Sequence, residues 1–374
     1  MRQLPETPPE TLSETPPETL PENSAETTAS EPGAAAAVAG PEGRRDAATT
    51  LRVDDLHVTV GDRLHAVRGV SLTIRRGEAV GLVGESGSGK TLTCRAVLGL
   101  LPETGAVEAG RIVLGEEPRA VELTRARRGT WNQVRGTRLA AVFQDPASYL
   151  NPSLTIGHQV VEQLRVRAGL ARVEARARAQ ELLTEVGIHN AETVYHQYPF
   201  QLSGGMLQRV LIAIAVSCHP ELLIADEATT ALDTVVQSEI LELIRRLRRT
   251  HRLSLLLVTH DLAVVAETCD RVLVMYAGEI VESGPTEQIL HDPRHPYTQA
   301  LMRVASVGDW SRRSLEIIPG QPPSAGESMP GCRFAPRCAV AGADCLTGPV
   351  ELTDLGGGRA ARCVRLEQRQ EVPA

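Results

Sequence analysis

The sequence predicts an α/β fold built on a mostly parallel sheet. Three observations carry that expectation. Near-continuous apolar runs occur at "AVGLVG" (79–84), "ELLIAD" (221–226) and "SLLLVTH" (254–260). Strands covered on both faces read in this way, without alternation. Helical text separates the runs, and alternating strands and helices build parallel sheets. The first run also leads through a glycine-rich stretch into a further apolar segment, "CRAVLGLL" (94–101).

Taken in order, the chain opens on a low-complexity tail. Residues 1–50 carry nine acids and three arginines, most of the net charge of −7. Glutamate recurs every fourth residue from Glu6 to Glu26. On a helix those charges would stack and repel, and the prolines remove donors. This tail is expected to be disordered. From Leu51 the texture changes: "LRVDDLHVTV" and "VSLTI" read as strands. "AVGLVG" is a buried strand, "CRAVLGLL" a helix and "LAAVFQ" (139–144) another strand. Residues 157–195 read as helical. After the two later apolar strands, "RVLVMYAGEIVESG" (271–284) reads as a hairpin turning at Ala277-Gly278. Beyond about Asp292 the text becomes proline-rich and cysteine-bearing, which places a boundary near 284–295.

Composition excludes several classes. The chain has 374 residues, 42% of them hydrophobic, enough for a sizeable core. No basic stripe marks a nucleic-acid binder; the run Arg125 to Arg128 reads as a solvated face. No stretch of 18 apolar residues occurs, and no secretory signal opens the chain. The expectation is a soluble cytosolic chain that meets a membrane only through a partner.

Two motifs carry chemistry. "GESGSGKT", Gly84–Thr91, fits the phosphate-loop pattern and sits between a strand and a helix. In it Gly84, Glu85, Ser86, Gly87, Ser88 and Gly89 present backbone N–H groups to phosphates. Lys90 reaches the β- and γ-phosphates of a nucleotide, and Thr91 offers a hydroxyl to Mg²⁺. "LLIADE" then supplies Asp226 for the metal and Glu227 as a general base for water. A third stretch, "QLSGGMLQRVLIAIAV" (201–216), opens an apolar helix with a serine and two glycines. Such a helix start is a second anion-facing site with no lysine of its own.

These elements, in this order, resemble the ATP-binding subunits of ABC transporters. "QLSGGM" resembles that family's signature, with Met206 where glutamine is usual. "VFQD" places Gln144 at the Q-loop, "TALD" (230–233) resembles the D-loop, and "VTHD" places His260 at the switch histidine. Ala228 stands where many relatives have proline, and Val60 where an aromatic residue would stack on adenine; His65 is the nearest ring. The resemblance covers about residues 51–290. It implies a P-loop ABC-type ATPase core with an antiparallel β subdomain and a helical signature subdomain at about 145–215. It also implies head-to-tail pairing, in which Ser203, Gly204 and Gly205 grip the γ-phosphate of ATP held by a second ATPase subunit. Gln144 would sense Mg²⁺ and water and couple to the membrane partner; His260 would contact the γ-phosphate and orient Glu227.

Cys94, Cys218 and Cys269 are scattered, as small buried hydrophobes are. Cys332, Cys338, Cys345 and Cys363 gather late with spacing C-x5-C-x6-C-x17-C. A cytosolic chain disfavours disulfides, and four thiolates suit a metal or an iron–sulfur centre. Tight C-x2-C pairs, usual for structural zinc, are absent, which favours [4Fe–4S] with zinc as the alternative. "HPYTQALM" (295–302), "IPGQPPS" (318–324) and "GCRFAPRC" (331–338) resemble the C-terminal extension of oligopeptide, dipeptide and nickel importer ATPases. That resemblance assigns residues 291–374 to a loop-rich four-cysteine extension. It implies peptide import through two membrane permeases, an external solute-binding protein and a sister ATPase chain, at the cytoplasmic face of the membrane. Import of nickel or another small solute is the alternative; a non-transport ABC ATPase and a redox sensor are the remaining readings.

Overall fold

The computed structural model describes residues 48–61, 64–228, 233–305 and 317–366. Residues 1–47 of the tail expected at 1–50 lie outside them, and its last two residues, Thr49 and Thr50, belong instead to the first strand, with Thr50 buried. The chain enters on β1 (Thr49–Val60) and β2 (Leu64–Arg75), then β3 (Ala79–Val83), the glycine-rich loop and α1 (Lys90–Leu98). β4 (Gly105–Leu114), β5 (Val121–Glu122), α2 (Arg128–Val134) and β6 (Leu139–Phe143) follow. A helical group comes next: α3 (Ile156–Arg167), α4 (Arg172–Glu185), α5 (Ala191–His196) and α6 (Gly204–Val216). β7 (Leu222–Asp226), α7 (Thr234–His251), β8 (Ser254–Val258), α8 (Leu262–Thr268) and β9 (Arg271–Tyr276) complete the alternation. β10 (Glu279–Pro285), α9 (Thr286–His291), α10 (Pro296–Ala305), β11 (Thr353–Gly356) and β12 (Arg359–Ala361) end the described chain.

β2, β1, β4 and β5 form a four-stranded antiparallel sheet. The second sheet runs β11-β12-β10-β9-β3-β8-β7-β6, and its strands from β9 to β6 are parallel. β9 and β10 form the expected hairpin, with Ala277 at φ 45° and Gly278 at φ 91° in the turn. α1 stops one residue before Gly99, whose φ of 61° breaks the helix short of the sequence expectation. The helical stretch expected at 157–195 is interrupted as well, with Gly169 and Gly187 in left-handed conformations at the breaks. Glycine adopts such φ values without a Cβ penalty.

The buried strands divide their side chains between two cores. Val83, Val142, Leu223, Leu255, Leu257 and Val274 face one layer, together with residues of α3–α8 such as Leu164, Leu182, Val210 and Leu247. Leu82, Leu139, Ile224, Leu256, Val258 and Met275 face the other, together with α1 and the antiparallel sheet through Leu51, Ile74 and Ile112. Alternation across a strand puts neighbouring residues on opposite faces. That is why these strands read as wholly apolar. Burial of each such side chain is worth about 1.5–3 kcal/mol.

The C-terminal segment joins the main sheet. β12 pairs antiparallel with β10 through Glu282–Ala361 and Ser283–Ala360. Glu282, 1% exposed, accepts from the backbone N–H groups of Arg294 (2.6 Å) and His295 (2.8 Å). Among the described residues, no helix is long and apolar enough to cross a membrane.

Candidate functional site

The parallel strands place the chemistry at their carboxyl ends, where ligands bind in open α/β sheets. Leu82 of β3, Asp226 of β7 and Phe143 of β6 are linked across the sheet: Leu82 pairs with Val258, Val258 with Asp226, and Asp226 with Phe143. The glycine-rich loop, Gln144, Glu227 and His260 therefore all leave from one edge.

The loop from Gly84 to Gly89 is shaped by backbone no other residue tolerates well. Gly84 has φ 151°, and a Cβ there would overlap the Met275 carbonyl oxygen. Gly89, at φ 106°, caps α1, and its Cβ would lie 2.7 Å from the Ala66 carbonyl oxygen. Ser88 N–H donates back to the Glu85 carbonyl at 3.2 Å, and Gly278 N–H donates to the Ser88 carbonyl at 2.9 Å. Lys90 Nζ donates to the carbonyls of Gly84 (2.8 Å) and Glu85 (2.9 Å), so its ammonium curls over the loop. Burial pushes the Lys90 pKa below the ordinary lysine value, opposed by the charges of Glu227 and Asp226. Ser86 and Gly87 are exposed at the loop's crest. The Ser88 hydroxyl is buried without a hydrogen-bond partner among the described residues.

Thr91 Oγ1 donates to Asp226 Oδ1 at 3.3 Å, which brings together hydroxyl and carboxylate from residues 135 apart. Burial raises the Asp226 pKa, the Thr91 hydrogen bond lowers it, and the Glu227 charge raises it further. A hydroxyl and a carboxylate are oxygen donors of the kind that suit magnesium, which keeps waters and phosphate oxygens as its remaining ligands. Glu227 follows directly in the left-handed region at φ 49°, with its N–H donating to the Val258 carbonyl at 3.0 Å. Its carboxylate lies 3.7 Å from His260 Nδ1. Gln144 is exposed just beyond β6.

This arrangement matches a known family in two segments. Residues 67–230 match the ABC transporter model, and residues 281–345 match the oligopeptide/dipeptide transporter C-terminal region. The probable D,D-dipeptide transport ATP-binding protein of Escherichia coli strain K12 is 45% identical over 86% of this chain and 98% of its own length. The chain belongs to the ABC transporter ATP-binding family. The oligopeptide transport ATP-binding protein of Bacillus subtilis strain 168 is 44% identical over 81% of the ABC ATPase described here and 92% of its own length. An ATP-binding cassette solved as a dimer in a post-hydrolysis state, with ADP and phosphate, aligns with a TM-score of 0.55 at 26% identity, over 63% of this chain and 98% of that one. The protein is an ABC-type ATP hydrolase.

The residues expected to form the signature of this ABC ATPase stand elsewhere in the chain. Ser203 caps α6, its Oγ accepting from Met206 N–H at 3.4 Å, and Ser203 and Gly204 are exposed. Gly205 packs close to α7; a Cβ there would lie 2.7 Å from Val236 Cγ1. No hydrogen bond among the described residues ties Ser203, Gly204 or Gly205 to the chain's own phosphate loop. Of the D-loop text, Thr230, Ala231 and Leu232 fall outside the described residues; Asp233 caps α7. His65, the ring nearest the expected adenine position, lies 3.5 Å from Glu108.

The four-cysteine expectation requires correction. Among the described residues, no group of three or more His, Cys, Asp or Glu side chains is placed to hold a metal ion. Backbone hydrogen bonds close this segment instead. Cys332 N–H donates to the Cys345 carbonyl at 2.8 Å, and Cys338 and Cys345 N–H groups donate within their own tight turns. Cys345 Sγ lies 3.8 Å from Asp344 Oδ1. The thiols still feel one another: burial pushes the Cys332 thiol up to about 11, and Cys363, Cys338 and Cys345 add to the rise.

Two residues missed in the sequence touch the phosphate loop. Arg337 Nη1 and Nη2 grip the Glu85 carboxylate at 2.7 and 3.0 Å. Tyr297 Oη accepts from Glu85 N–H at 2.8 Å. Their only local signal was their place in "HPYTQALM" and "GCRFAPRC".

Proposed function

We propose that this ABC ATPase energises uptake of di- or oligopeptides, hydrolysing ATP in a site shared with a second ABC ATPase subunit. One observation carries the reading. The loop, the Thr91–Asp226 pair and the Glu227–His260 pair share one strand-end edge, while Ser203 and Gly204 lie exposed and Gly205 half-buried against α7, with no hydrogen bond to that edge among the described residues. Half a phosphate cage thus belongs to the loop and half is offered outward. The α6 N-terminus adds partial positive charge and free N–H donors to the outward half.

Lys90 and the loop N–H groups bind the β- and γ-phosphates. Thr91 and Asp226, with Gln144, would hold magnesium, which would supply neutralisation of the developing phosphate charge. Glu227 takes a proton from water as the water oxygen bonds to the γ-phosphorus and the bond to the β–γ bridging oxygen breaks. His260 orients Glu227 and contacts the γ-phosphate. Positioning and charge supply the catalysis.

Peptide as the solute is supported by the match of residues 281–345 to the oligopeptide/dipeptide transporter region and by the relatives' names. The reading places the chain at the cytoplasmic face, with a sister ATPase chain, two permeases and an external solute-binding protein. The test is purification with bound membrane subunits in vesicles, followed by ATPase assays with added peptides and binding protein. Stimulation by di- or oligopeptides is expected; stimulation only by an unrelated solute would discard the peptide assignment.

For Cys332, Cys338, Cys345 and Cys363 the supported proposal is narrower. A [4Fe–4S] cluster there rests on the residue type and spacing of the four thiols alone. Iron and sulfide analysis of anaerobically purified protein tests it, and a zinc-bearing colourless preparation rejects it.

A further inference from the structure

We propose that Arg337 and Tyr297 are positioning residues for ATP binding, acting through Glu85 of the phosphate loop. The proposal rests on the phosphate-loop reading above. Glu85 is the second residue of a loop built to receive polyphosphate, and an unpaired carboxylate there would repel the ligand. The repulsion is strong where water is thin.

Arg337 removes that charge. Its side chain is 3% exposed, against 29% for Glu85. The guanidinium forms a two-pronged pair with the carboxylate, a geometry lysine lacks. Its other donors reach the Pro319 carbonyl (2.9 Å), the Ile318 carbonyl (3.0 Å) and the Tyr276 hydroxyl (3.3 Å). All five N–H donors of the side chain are thereby used. A fully satisfied buried arginine has one orientation, so it fixes the carboxylate it holds.

Tyr297 fixes the same residue from the backbone. It is fully buried, and its hydroxyl takes the Glu85 N–H. The Glu85 carbonyl meanwhile receives Lys90. Tyr276, Tyr297 and Phe334 pack as an aromatic box beneath, with ring centroids 4.6–5.4 Å apart. Tyr297 and Arg337 both come from the 281–345 segment, outside the 67–230 cassette match. That segment therefore braces the loop before nucleotide arrives, and preorganisation of this kind raises affinity by cutting the ordering cost.

The test is Mg-ATP affinity of the full chain by titration calorimetry. Arg337→Met should weaken binding by about tenfold, and Arg337→Lys by less, because charge returns without the fork. The double variant Glu85→Gln/Arg337→Met should recover affinity to within about threefold of the unaltered chain, because the repelling charge is gone. It also decides the matter if Arg337→Met alone fails to fold, since it buries no unpaired charge. Normal affinity in Arg337→Met, or a double variant as weak as the single one, would overturn the proposal. Lys90→Ala runs alongside: undiminished affinity there sinks the phosphate-loop reading itself. Loss in Lys90→Ala with none in Arg337→Met sinks only the brace.

Discussion

The Glu227 carboxylate and His260 Nδ1 stand 3.7 Å apart, on loops that leave adjacent parallel strands. Glu227 holds that position from a left-handed backbone, φ 49°.

Glu227→Gln is expected to retain ATP and lose turnover. A positioned general base contributes about 10²–10⁴-fold, so phosphate release should fall within that range. The check is steady-state phosphate release together with nucleotide retained after gel filtration. Hydrolysis at the original rate would remove Glu227 from the role of base.

Ser203→Arg addresses the shared site. Ser203 caps α6 at an exposed position with no bond to the chain's own loop. The substitution should abolish turnover and ATP-induced pairing, while Mg-ATP affinity of the separate chain falls far less than in Lys90→Ala. Light scattering with and without ATP reads the pairing. Full turnover by a strict monomer would contradict the two-chain cage.

A pH prediction follows from Cys269. Burial, then the neighbouring Asp270 charge, raises its thiol from 9.0 to about 12. The folded state therefore keeps a proton that the unfolded chain releases first. The contribution to stability is complete below about pH 8.5 and is lost as pH rises toward 12. Melting temperatures should fall between pH 8 and 10, and Cys269→Ala should make that decline shallower. An identical decline in the variant would show that other groups set it.

Much of the site was legible because its signals are local. A buried strand, glycines that permit unusual φ, and a helix start lie within one short stretch from Ala79 to Leu98, so the phosphate loop declares itself. The Ala277–Gly278 turn is likewise a short-range fact. The helix breaks near Gly169 and Gly187 were missed because the flanking arginine, alanine and leucine all favour helix, which masks single glycines.

The sequence by itself determined β1–β3, β6–β10, the glycine-rich turn from β3 into α1 and the order of the motifs, since each follows from neighbours a few residues apart; it left β4, β5, β11 and β12 unread. Only the tertiary structure decided which distant groups meet. Thr91 finds Asp226 across 135 residues, Tyr297 finds Glu85 across 212, and Arg337 finds it across 252. It also decided that the late cysteines close their segment through backbone hydrogen bonds, with no ready-made metal shell among the described residues. Charge pairs and thiol geometry depend on how layers stack, and no periodicity in the chain encodes a contact between residues that far apart.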